Sequence, residues 1–295
     1  MCRQAAGHRC DSKDVILQIP SHWPFRPNRL PFCAKYMDVK IKLISTDFDG
    51  TLFAEFENPP IPIHLQTLIA DFQKRGGKWV INTGRDMSSL MEALARAGVT
   101  ARPDHLVLVE REIYHHHEAQ YVEHHAWNVE CNRAHAELFT RVRKDVPYLT
   151  EWVNERFANA TIYEDLYSPF CFIAAKTNHA EQIHEFLDGY CKTVPHLAVV
   201  RNDVYARFSH VAYNKGTALA ELTRQLGIQA DDILAAGDHL NDLPMLDGKY
   251  AKWLVAPSNA IEVVKEAVRT QKGHVSALHA GHGVAEGLSR FLGKG

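Results

Sequence analysis

Hydrophobic and polar positions alternate along the chain in blocks that predict strands followed by helices. Short apolar runs at 41–46, 79–82 and 106–109 have the composition of buried strands. The segments between them, 63–75 and 88–97, repeat apolar residues at helical spacing and are each followed by glycine. Because strands that alternate with helices form parallel sheets with helices on both faces, this part of the chain predicts an α/β fold.

The hydrophobic pattern changes in the middle of the chain and then returns to its first form. The middle block predicts a mixture of strands and helices, which is α+β in character: a hairpin at 113–129, helices at 133–145 and 179–190, and strands at 160–163, 171–174 and 197–200. Beyond residue 215 the first alternation resumes, with helices at 216–226, 259–269 and 284–292 and strands at 233–236 and 253–255. The pattern therefore predicts an α/β domain interrupted by an inserted α+β domain.

These changes divide the chain into three predicted parts. Residues 1–36 contain four prolines and no apolar period, so we expect an irregular N-terminal extension. Residues 37–86 and 208–295 form the predicted core domain, and residues 87–207 form the predicted inserted domain. Because this insertion is far longer than a loop needs, we expect it to be a folded unit.

Composition and charge narrow the function. The 295 residues include 33 basic and 35 acidic side chains, a formal net charge of -2, which excludes a strong overall attraction to nucleic acid or an anionic membrane. A small anionic substrate needs only a local basic pocket and stays compatible with this balance. No apolar run is long enough to span a membrane, no secretory signal is recognisable, and the cysteines contain no closely spaced pair. We therefore expect a cytoplasmic protein with reduced thiols.

Four polar clusters follow predicted strands or open a predicted helix, which is where α/β sheets place active sites. They are DFDGTL at 47–52, TGR at 83–85, NKG at 214–216 and GDHLND at 237–242. In the first, one carboxylate could act as a nucleophile and the other could deliver a proton to a leaving group. The second suits an anion, the lysine of the third could point at a phosphate, and the fourth could hold Mg²⁺. Each alone also fits an ordinary turn or a solvated side chain.

Taken together and in this order, the four clusters resemble the motifs of the haloacid dehalogenase superfamily of phosphotransferases. The resemblance implies a Rossmann-like parallel-sheet core. The insert lies between the second and third motifs, and its α+β pattern resembles the type IIB cap of this superfamily, also named C2B. Residues 103–114 resemble a Pro-Asp…Gly-Thr-Glu-Ile-Tyr stretch of Cof-like and sucrose-phosphate phosphatase-like members.

The resemblance implies catalytic and metal-binding roles for four aspartates. Asp47 would be the nucleophile that forms an aspartyl-phosphate, and Asp49 would protonate the leaving oxygen and then activate water. Mg²⁺ would be bound by Asp47, the backbone carbonyl of Asp49 and Asp238, with Asp242 supporting that site. Related dehalogenases lack an aspartate at the position of Asp49, and P-type ATPases carry threonine there, so this residue favours a phosphatase or a phosphomutase.

The resemblance also implies four residues that hold the transferring phosphoryl group, namely Thr83, Gly84, Lys215 and Asn241. A phosphate dianion repels a carboxylate nucleophile, and Mg²⁺ together with Lys215 would offset that repulsion. Lys215 is therefore also expected to be catalytic.

The leading hypothesis is a Mg²⁺-dependent phosphatase that acts on a small phosphorylated metabolite, with sugar phosphates favoured by the cap type. A phosphomutase of the same superfamily would share Asp47 and Asp49, so this alternative stays open. A catalytically idle binding protein is disfavoured because all four motifs are intact. Glu110 and Arg111 replace small residues of the sucrose-phosphate phosphatase pattern, and we expect their side chains to face the substrate pocket and change what fits.

Eighteen histidines are many for this length, and two runs, at 115–117 and 124–125, fall within the predicted hairpin. Cross-strand imidazoles can converge on zinc. Because no clear third or fourth ligand stands out, we interpret the runs as a solvated hairpin with alternating polar residues.

Overall fold

The structure of the protein is a computed structural model that describes residues 41–293. The predicted extension at 1–36, and the first residues of the predicted core, lie outside this range. No helix within 41–293 is both long and apolar enough to cross a membrane.

This part of the chain contains strands and helices in the order that the hydrophobic pattern predicts, with some additions. The strands are β1 (Leu43–Thr46), β2 (Lys78–Asn82), β3 (His105–Leu108), β4 (Glu112–His117), β5 (Gln120–Glu123), β6 (Thr161–Tyr163), β7 (Cys171–Ile173), β8 (Leu197–Asn202), β9 (Tyr205–His210), β10 (Ile233–Ala236), β11 (Trp253–Ala256) and β12 (His274–Val275). The α-helices are α1 (Ile63–Lys74), α2 (Met87–Arg96), α3 (His125–Val142), α4 (Val146–Arg156), α5 (Thr177–Cys191), α6 (Lys215–Leu226), α7 (Glu262–Thr270) and α8 (Ala280–Leu292).

The larger sheet has eight strands in the order β12-β11-β10-β1-β2-β3-β4-β5. Adjacent strands from β12 through β3 pair in parallel. The antiparallel hairpin of β4 and β5 extends the sheet beyond β3. Thr46 at the end of β1 lies opposite Ala236 on one side and Ile81 on the other. The loops that follow β1, β2 and β10 therefore leave the sheet at the same edge, which brings three of the four predicted motifs together.

Helices cover both faces of this sheet, as the alternation predicts. Leu65 of α1, Leu90 of α2 and Val284 of α8 belong to one buried apolar cluster. Leu219 of α6 and Val264 of α7 belong to a second cluster on the other face. Because both faces are covered, β1 and β10 are buried along their whole length, which is why they read as unbroken apolar runs. The α/β fold with a parallel-dominated sheet is confirmed.

The second sheet is smaller and antiparallel, with the order β6-β7-β9-β8. Its own apolar core includes Leu138 of α3, Leu149 of α4 and Ile183 of α5, together with Phe172 and Phe208 from the strands. This α+β unit overlaps the segment predicted as an insertion and extends beyond its end by the last residues of β9.

The strand pairing differs from the predicted limits of the inserted domain, 87–207. β3 pairs in parallel with β2, and the hairpin of β4 and β5 extends from β3, so residues 105–123 lie in the larger sheet. At the other end, β9 reaches residue 210. We propose that the inserted domain begins after β5 and ends with β9.

Candidate active site

Asp47 directly follows β1, the central strand of the larger sheet, and its side chain is buried. Its Oδ1 atom lies 2.6 Å from Nζ of Lys215, whereas its Oδ2 atom is buried without a hydrogen-bond partner. Burial, followed by the nearby charge of Asp242, raises the pKa of the Asp47 carboxyl well above its usual value, and Lys215 opposes this. The predicted nucleophile therefore has one restrained oxygen and one unpartnered oxygen.

Lys215 begins α6 and is fully buried. The side chain of Asn214 caps this helix by accepting hydrogen bonds from the backbone of the next turn. Gly216 allows the helix start to pack closely, because a Cβ there would lie 2.3 Å from the backbone oxygen of Pro244. Nζ of Lys215 lies 2.6 Å from an oxygen of Asp242, the same distance as to Asp47.

Two carboxylates therefore surround the ammonium group of Lys215. Burial alone would lower the pKa of Lys215, but the charges of Asp242 and Asp47 outweigh it and raise that pKa, so this lysine is a cation. The residue predicted as catalytic and phosphate-binding lies between the predicted nucleophile and the predicted supporting aspartate.

The loop after β10 brings Asp238 and Asp242 to the same place. One oxygen each of Asp47, Asp238 and Asp242 lie within 4.8 Å of one another. Oδ2 of Asp242 accepts hydrogen bonds from the backbone N–H groups of Asp238 and His239, which fixes its position. Burial, then the charge of Asp242, raises the pKa of Asp238 to about 7.

This set fits a divalent cation with oxygen ligands. One ammonium group, that of Lys215, contacts two of the three carboxylates, and Oδ2 of Asp47 lacks a partner, so the cluster holds more negative charge than its own residues neutralise. Carboxylate oxygens are the ligands that Mg²⁺ prefers. The structure brings together the side chains of Asp47, Asp238 and Asp242, which were predicted to bind or support the metal. The side chain of Asp49 is not part of this cluster.

Gly50 shapes the same loop. Its φ of +74° is in the left-handed region, and a Cβ there would lie 2.4 Å from Oδ2 of Asp238. The hydroxyl of Thr51 donates a hydrogen bond of 2.8 Å to Oδ1 of Asp238. Glycine at position 50 therefore lets the chain after β1 pass close to a predicted metal ligand.

Asp49 faces Arg85 and not the aspartate cluster. Nε and Nη2 of Arg85 donate hydrogen bonds of 2.8 and 2.7 Å to the two oxygens of Asp49, and Nη1 donates to the hydroxyl of Ser89. The hydrogen bond to Asp49 raises the pKa of Arg85. The sequence reasoning assigned no role to Arg85, although its place directly after Thr83 and Gly84 was the available signal.

The predicted phosphate-binding residues Thr83 and Gly84 lie just past the end of β2. Thr83 is buried, and its hydroxyl accepts a hydrogen bond from the backbone N–H of Arg85. Its backbone oxygen accepts a hydrogen bond of 2.9 Å from the N–H of Glu110. The backbone oxygen of Gly84 accepts one from Arg207, a residue of the smaller sheet. This loop therefore contacts both the end of β3 and the inserted unit.

Asn241 and Glu110 contact each other beside these loops. Nδ2 of Asn241 donates a hydrogen bond of 3.0 Å to Glu110, whereas its Oδ1 atom is buried without a partner. Val109 and Glu110 both have positive φ values, 45° and 67°, which are unusual for residues with side chains. Glu110 is buried, and its carboxylate lies close to Gly84.

Arg111 follows this turn and is also buried. Its Nη2 atom donates a hydrogen bond of 2.9 Å to the backbone oxygen of Tyr167, and its other two guanidinium nitrogens have no partner. Burial lowers the pKa of Arg111, and the nearby charge of Arg207 adds to this effect. The expectation that Glu110 and Arg111 determine substrate choice stays a prediction.

His239 is a further residue that joins the two units. It lies in the motif after β10, and its ring accepts a hydrogen bond from the backbone N–H of Asp203, in the turn between β8 and β9. The sequence offered no signal for this contact, because the two residues come from different predicted domains.

Histidines of the predicted hairpin pack against one another and against His105 of β3. Nδ1 of His105 lies 2.8 Å from Nδ1 of His115, and the rings of His115 and His124 are 5.7 Å apart. Nε2 of His124 lies 3.2 Å from a carboxylate oxygen of Glu221 on α6. These imidazoles therefore contact one another and a core helix. Across residues 41–293, the group with the ligand spacing of a metal site is the aspartate cluster.

Comparisons with known proteins identify the family of the chain. A family model described as haloacid dehalogenase-like hydrolase matches residues 113–288, more than half of the chain. The chain is 27% identical over 265 residues to 5-amino-6-(5-phospho-D-ribitylamino)uracil phosphatase YcsE of Bacillus subtilis (strain 168), covering 86% of this chain and 97% of that protein. It is 28% identical to a phosphoglycolate phosphatase of Methanopyrus kandleri, covering 85% and 97% of the two chains. Among solved structures, the sucrose-phosphatase of Synechocystis sp. PCC6803, in complex with sucrose and phosphate, aligns with a TM-score of 0.63 and 18% identity over 84% of this chain and 97% of that chain.

Proposed function

We propose that this protein is a Mg²⁺-dependent phosphatase that acts on a small phosphorylated metabolite. The chain belongs to the haloacid dehalogenase-like hydrolase family. The family and the phosphatases among its relatives make it a phosphoric monoester hydrolase. We further propose that the reaction passes through an aspartyl-phosphate intermediate and that the substrate is a sugar phosphate.

The unpartnered Oδ2 atom of Asp47 carries this proposal. Lys215 holds Oδ1 of the same carboxylate at 2.6 Å, so Oδ2 is the oxygen that can attack phosphorus. A buried carboxylate oxygen without a hydrogen bond is costly to maintain in a purely structural role. Its position at the carboxyl end of the central strand is where parallel sheets place reacting groups.

The reaction then has two displacements at phosphorus. Oδ2 of Asp47 forms a bond to phosphorus while the bond to the leaving oxygen breaks, and Asp49 gives that oxygen a proton. Asp49 next takes a proton from water, the water oxygen bonds to phosphorus, and the bond to Asp47 breaks to release inorganic phosphate. Because Arg85 holds both oxygens of Asp49, we expect Asp49 to turn away from Arg85 when it serves the leaving group.

The remaining predicted residues orient the phosphoryl group. Lys215 supplies a fixed positive charge, and we expect Thr83 and Gly84 to donate hydrogen bonds to phosphoryl oxygens. Asn241 would donate through Nδ2 only after that atom leaves Glu110. Lys215 stays charged throughout because two carboxylates stabilise it.

Asp47, Asp238 and the backbone carbonyl of Asp49 would hold Mg²⁺, and Asp242 would support the site. When bound, Mg²⁺ supplies positive charge that offsets the repulsion between the phosphate and Asp47. A small phosphorylated substrate is supported by the relatives, two of which are named for phosphorylated small molecules. The sugar phosphate is the narrower proposal.

The test is phosphate release from a panel of sugar phosphates and other small phosphomonoesters, with Mg²⁺ or with EDTA. We expect release that depends on Mg²⁺ and falls by roughly a thousandfold or more in Asp47→Asn. Asp71→Asn is the matched control, because Asp71 is an exposed residue of α1, and it should behave like the wild type. Release by Asp47→Asn at the wild-type rate would overturn the proposal. A rearranged phosphate ester in place of inorganic phosphate would favour the phosphomutase.

A further inference from the structure

Two buried arginines beside the active site form no ion pair with the acidic residues around them. Arg111 is 2% exposed and Arg207 is 4% exposed. Arg207 donates a hydrogen bond of 3.3 Å to the backbone oxygen of Gly84, and Arg111 donates one to the backbone oxygen of Tyr167. Within the part of the chain that the structure covers, neither guanidinium forms an ion pair, and two nitrogens of Arg111 have no hydrogen-bond partner. Buried charges are normally paired because their desolvation is costly, so this arrangement indicates an anion that the chain itself does not provide.

Arg207 lines a cavity between the two units. The cavity has a volume of about 290 Å³, and it lies between the loop after β2, with Gly84 and Arg85, and the smaller sheet, with Tyr163 and Arg207. Arg85 holds Asp49, the proposed proton donor to the leaving group. The cavity therefore begins on the side of the site where the leaving group must lie. Its volume suits a small metabolite.

Two acidic residues also line this cavity, and both are held by backbone amides. Oδ1 of Asp86 accepts a hydrogen bond from the N–H of Ser89 at the start of α2. Oδ1 of Asp165 accepts hydrogen bonds from the N–H groups of Tyr167 and Ser168. Because these carboxylates stabilise a helix end and a turn, they leave the guanidinium of Arg207 available to a ligand.

We propose that the substrate carries a second anionic group, a carboxylate or a second phosphate, on its leaving group, and that Arg207 binds this group directly. The nearby charge of Arg111 adds to that of Arg207 without needing to touch the ligand. This inference rests on the proposed phosphatase function and narrows its substrate from sugar phosphates in general to phosphorylated acids or bisphosphates. Tyr163 and Tyr205, which line the same cavity, would pack against the carbon chain of the leaving group.

The experiment compares substrates that differ in one terminal group. Phosphogluconate and sorbitol phosphate share a six-carbon chain, and phosphoglycolate and hydroxyethyl phosphate share a two-carbon chain; each pair contrasts a carboxylate with a neutral alcohol. The corresponding bisphosphates form a third arm that separates a carboxylate from a second phosphate. For the wild type with Mg²⁺ we expect kcat/KM to favour an anionic member over its neutral partner by roughly tenfold or more.

Variants connect this preference to Arg207. Arg207→Gln should lower the ratio of anionic to neutral kcat/KM by roughly 10- to 100-fold, and Arg207→Lys should keep part of it. Arg143→Gln is the matched control, because Arg143 is an exposed arginine of the inserted unit that pairs with Glu164, and it should leave the ratio unchanged. The ratio is internal to each variant, so an overall loss of activity does not affect it.

Two results would overturn the inference while leaving the phosphatase intact. One is a wild type that hydrolyses every neutral ester as well as its anionic partners, and the other is an Arg207→Gln protein with the wild-type ratio. If Arg207→Gln fails to fold, the wild-type ratio and Arg207→Lys decide the matter. A wild type that hydrolyses no phosphomonoester at all, including nitrophenyl phosphate, would instead refute the proposed function.

Discussion

Replacing Lys215 by methionine tests whether this lysine balances the charge of the buried aspartates. Its side chain is 0% exposed, and its Nζ atom lies 2.6 Å from an oxygen of Asp47 and 2.6 Å from an oxygen of Asp242. Each contact contributes an attraction of about 6 kcal/mol at an effective dielectric constant of about 20. Desolvation of the three ions offsets much of this gain. Removing the cation strands two buried carboxylates, so we expect the free energy of unfolding to fall by about 3–5 kcal/mol.

The assay is urea unfolding of the wild type and Lys215→Met in EDTA, which keeps divalent ions from replacing the lost charge. With an m-value of about 3 kcal/mol/M, the expected loss moves the unfolding midpoint down by about 1–1.7 M. Lys74→Met is the matched control, because Lys74 is exposed and its pair with Asp71 is worth at most about 1 kcal/mol.

A second substitution separates electrostatics from packing. Asp242→Asn added to Lys215→Met removes one of the two stranded charges, so the double variant should lose less stability than the sum of the single variants, by about 1–3 kcal/mol. Strict additivity, or a Lys215→Met midpoint within experimental error of the wild type, would refute the charge-balance argument.

Further predictions concern the acid–base pair, the loop after β1 and a buried histidine. Arg85→Gln removes both hydrogen bonds that hold Asp49 beside the site between turnovers and should lower kcat by roughly 10- to 100-fold, measured as phosphate release. Gly50→Ala places a Cβ against Asp238 and should weaken Mg²⁺ binding by roughly tenfold or more in calorimetric titrations. Burial lowers the pKa of His135 to about 3, and the nearby charge of Arg111 adds to this effect. Below pH 6.5 the unfolded state therefore binds a proton that the folded state excludes. Stability should therefore fall by up to about 1.4 kcal/mol per pH unit between about pH 6.5 and 3, and His135→Gln should reduce that slope in urea unfolding.

Each of these predictions has a matched control in the chain. Arg96→Gln changes an exposed arginine and should keep the wild-type kcat. Gly76→Ala imposes the same left-handed strain as Gly50→Ala but meets no neighbouring atom, so it should lower stability without weakening Mg²⁺ binding. His125→Gln changes an exposed histidine and should leave the acid slope unchanged. If a control variant changes the measured quantity as much as its test variant does, the contact removed in the test variant has no specific role.

The hydrophobic pattern predicts the core better than the inserted unit, for reasons visible in single elements. Strands buried on both faces read as apolar runs, and β10 was predicted with the bounds that it has, 233–236. β9 was missed because it alternates and carries Arg207 at a buried position, which reads as a polar loop. α4 was missed because Pro147 looks like a helix breaker, whereas in the first turn it needs no hydrogen bond that the helix would lose.

The candidate site shows a similar division. The resemblance of four motifs located Asp47, Asp238, Asp242 and Lys215. The fold brings the three aspartates together because β1 and β10 end at one edge of the sheet, and Lys215 reaches them from the start of α6. The hydrogen bonds of Arg85 to Asp49 depend on side-chain rotamers, which no motif encodes. The contact of Arg207 with Gly84 joins residues 123 positions apart in two different units, so only the packing of the inserted unit on the core could reveal it.

The distribution of charge explains how a nearly neutral chain can select a dianionic ester. Asp47, Asp238 and Asp242 form an acidic set with one balancing ammonium group, so by themselves they repel a phosphate. Arg207 lines the leaving-group cavity, forms no ion pair among residues 41–293, and would attract an anion. The aspartates would hold Mg²⁺, which would offset their repulsion of the phosphate end, while Arg207 would bind an acid at the other end. The two ends of the site would therefore suit a substrate with phosphate at one end and an acid at the other.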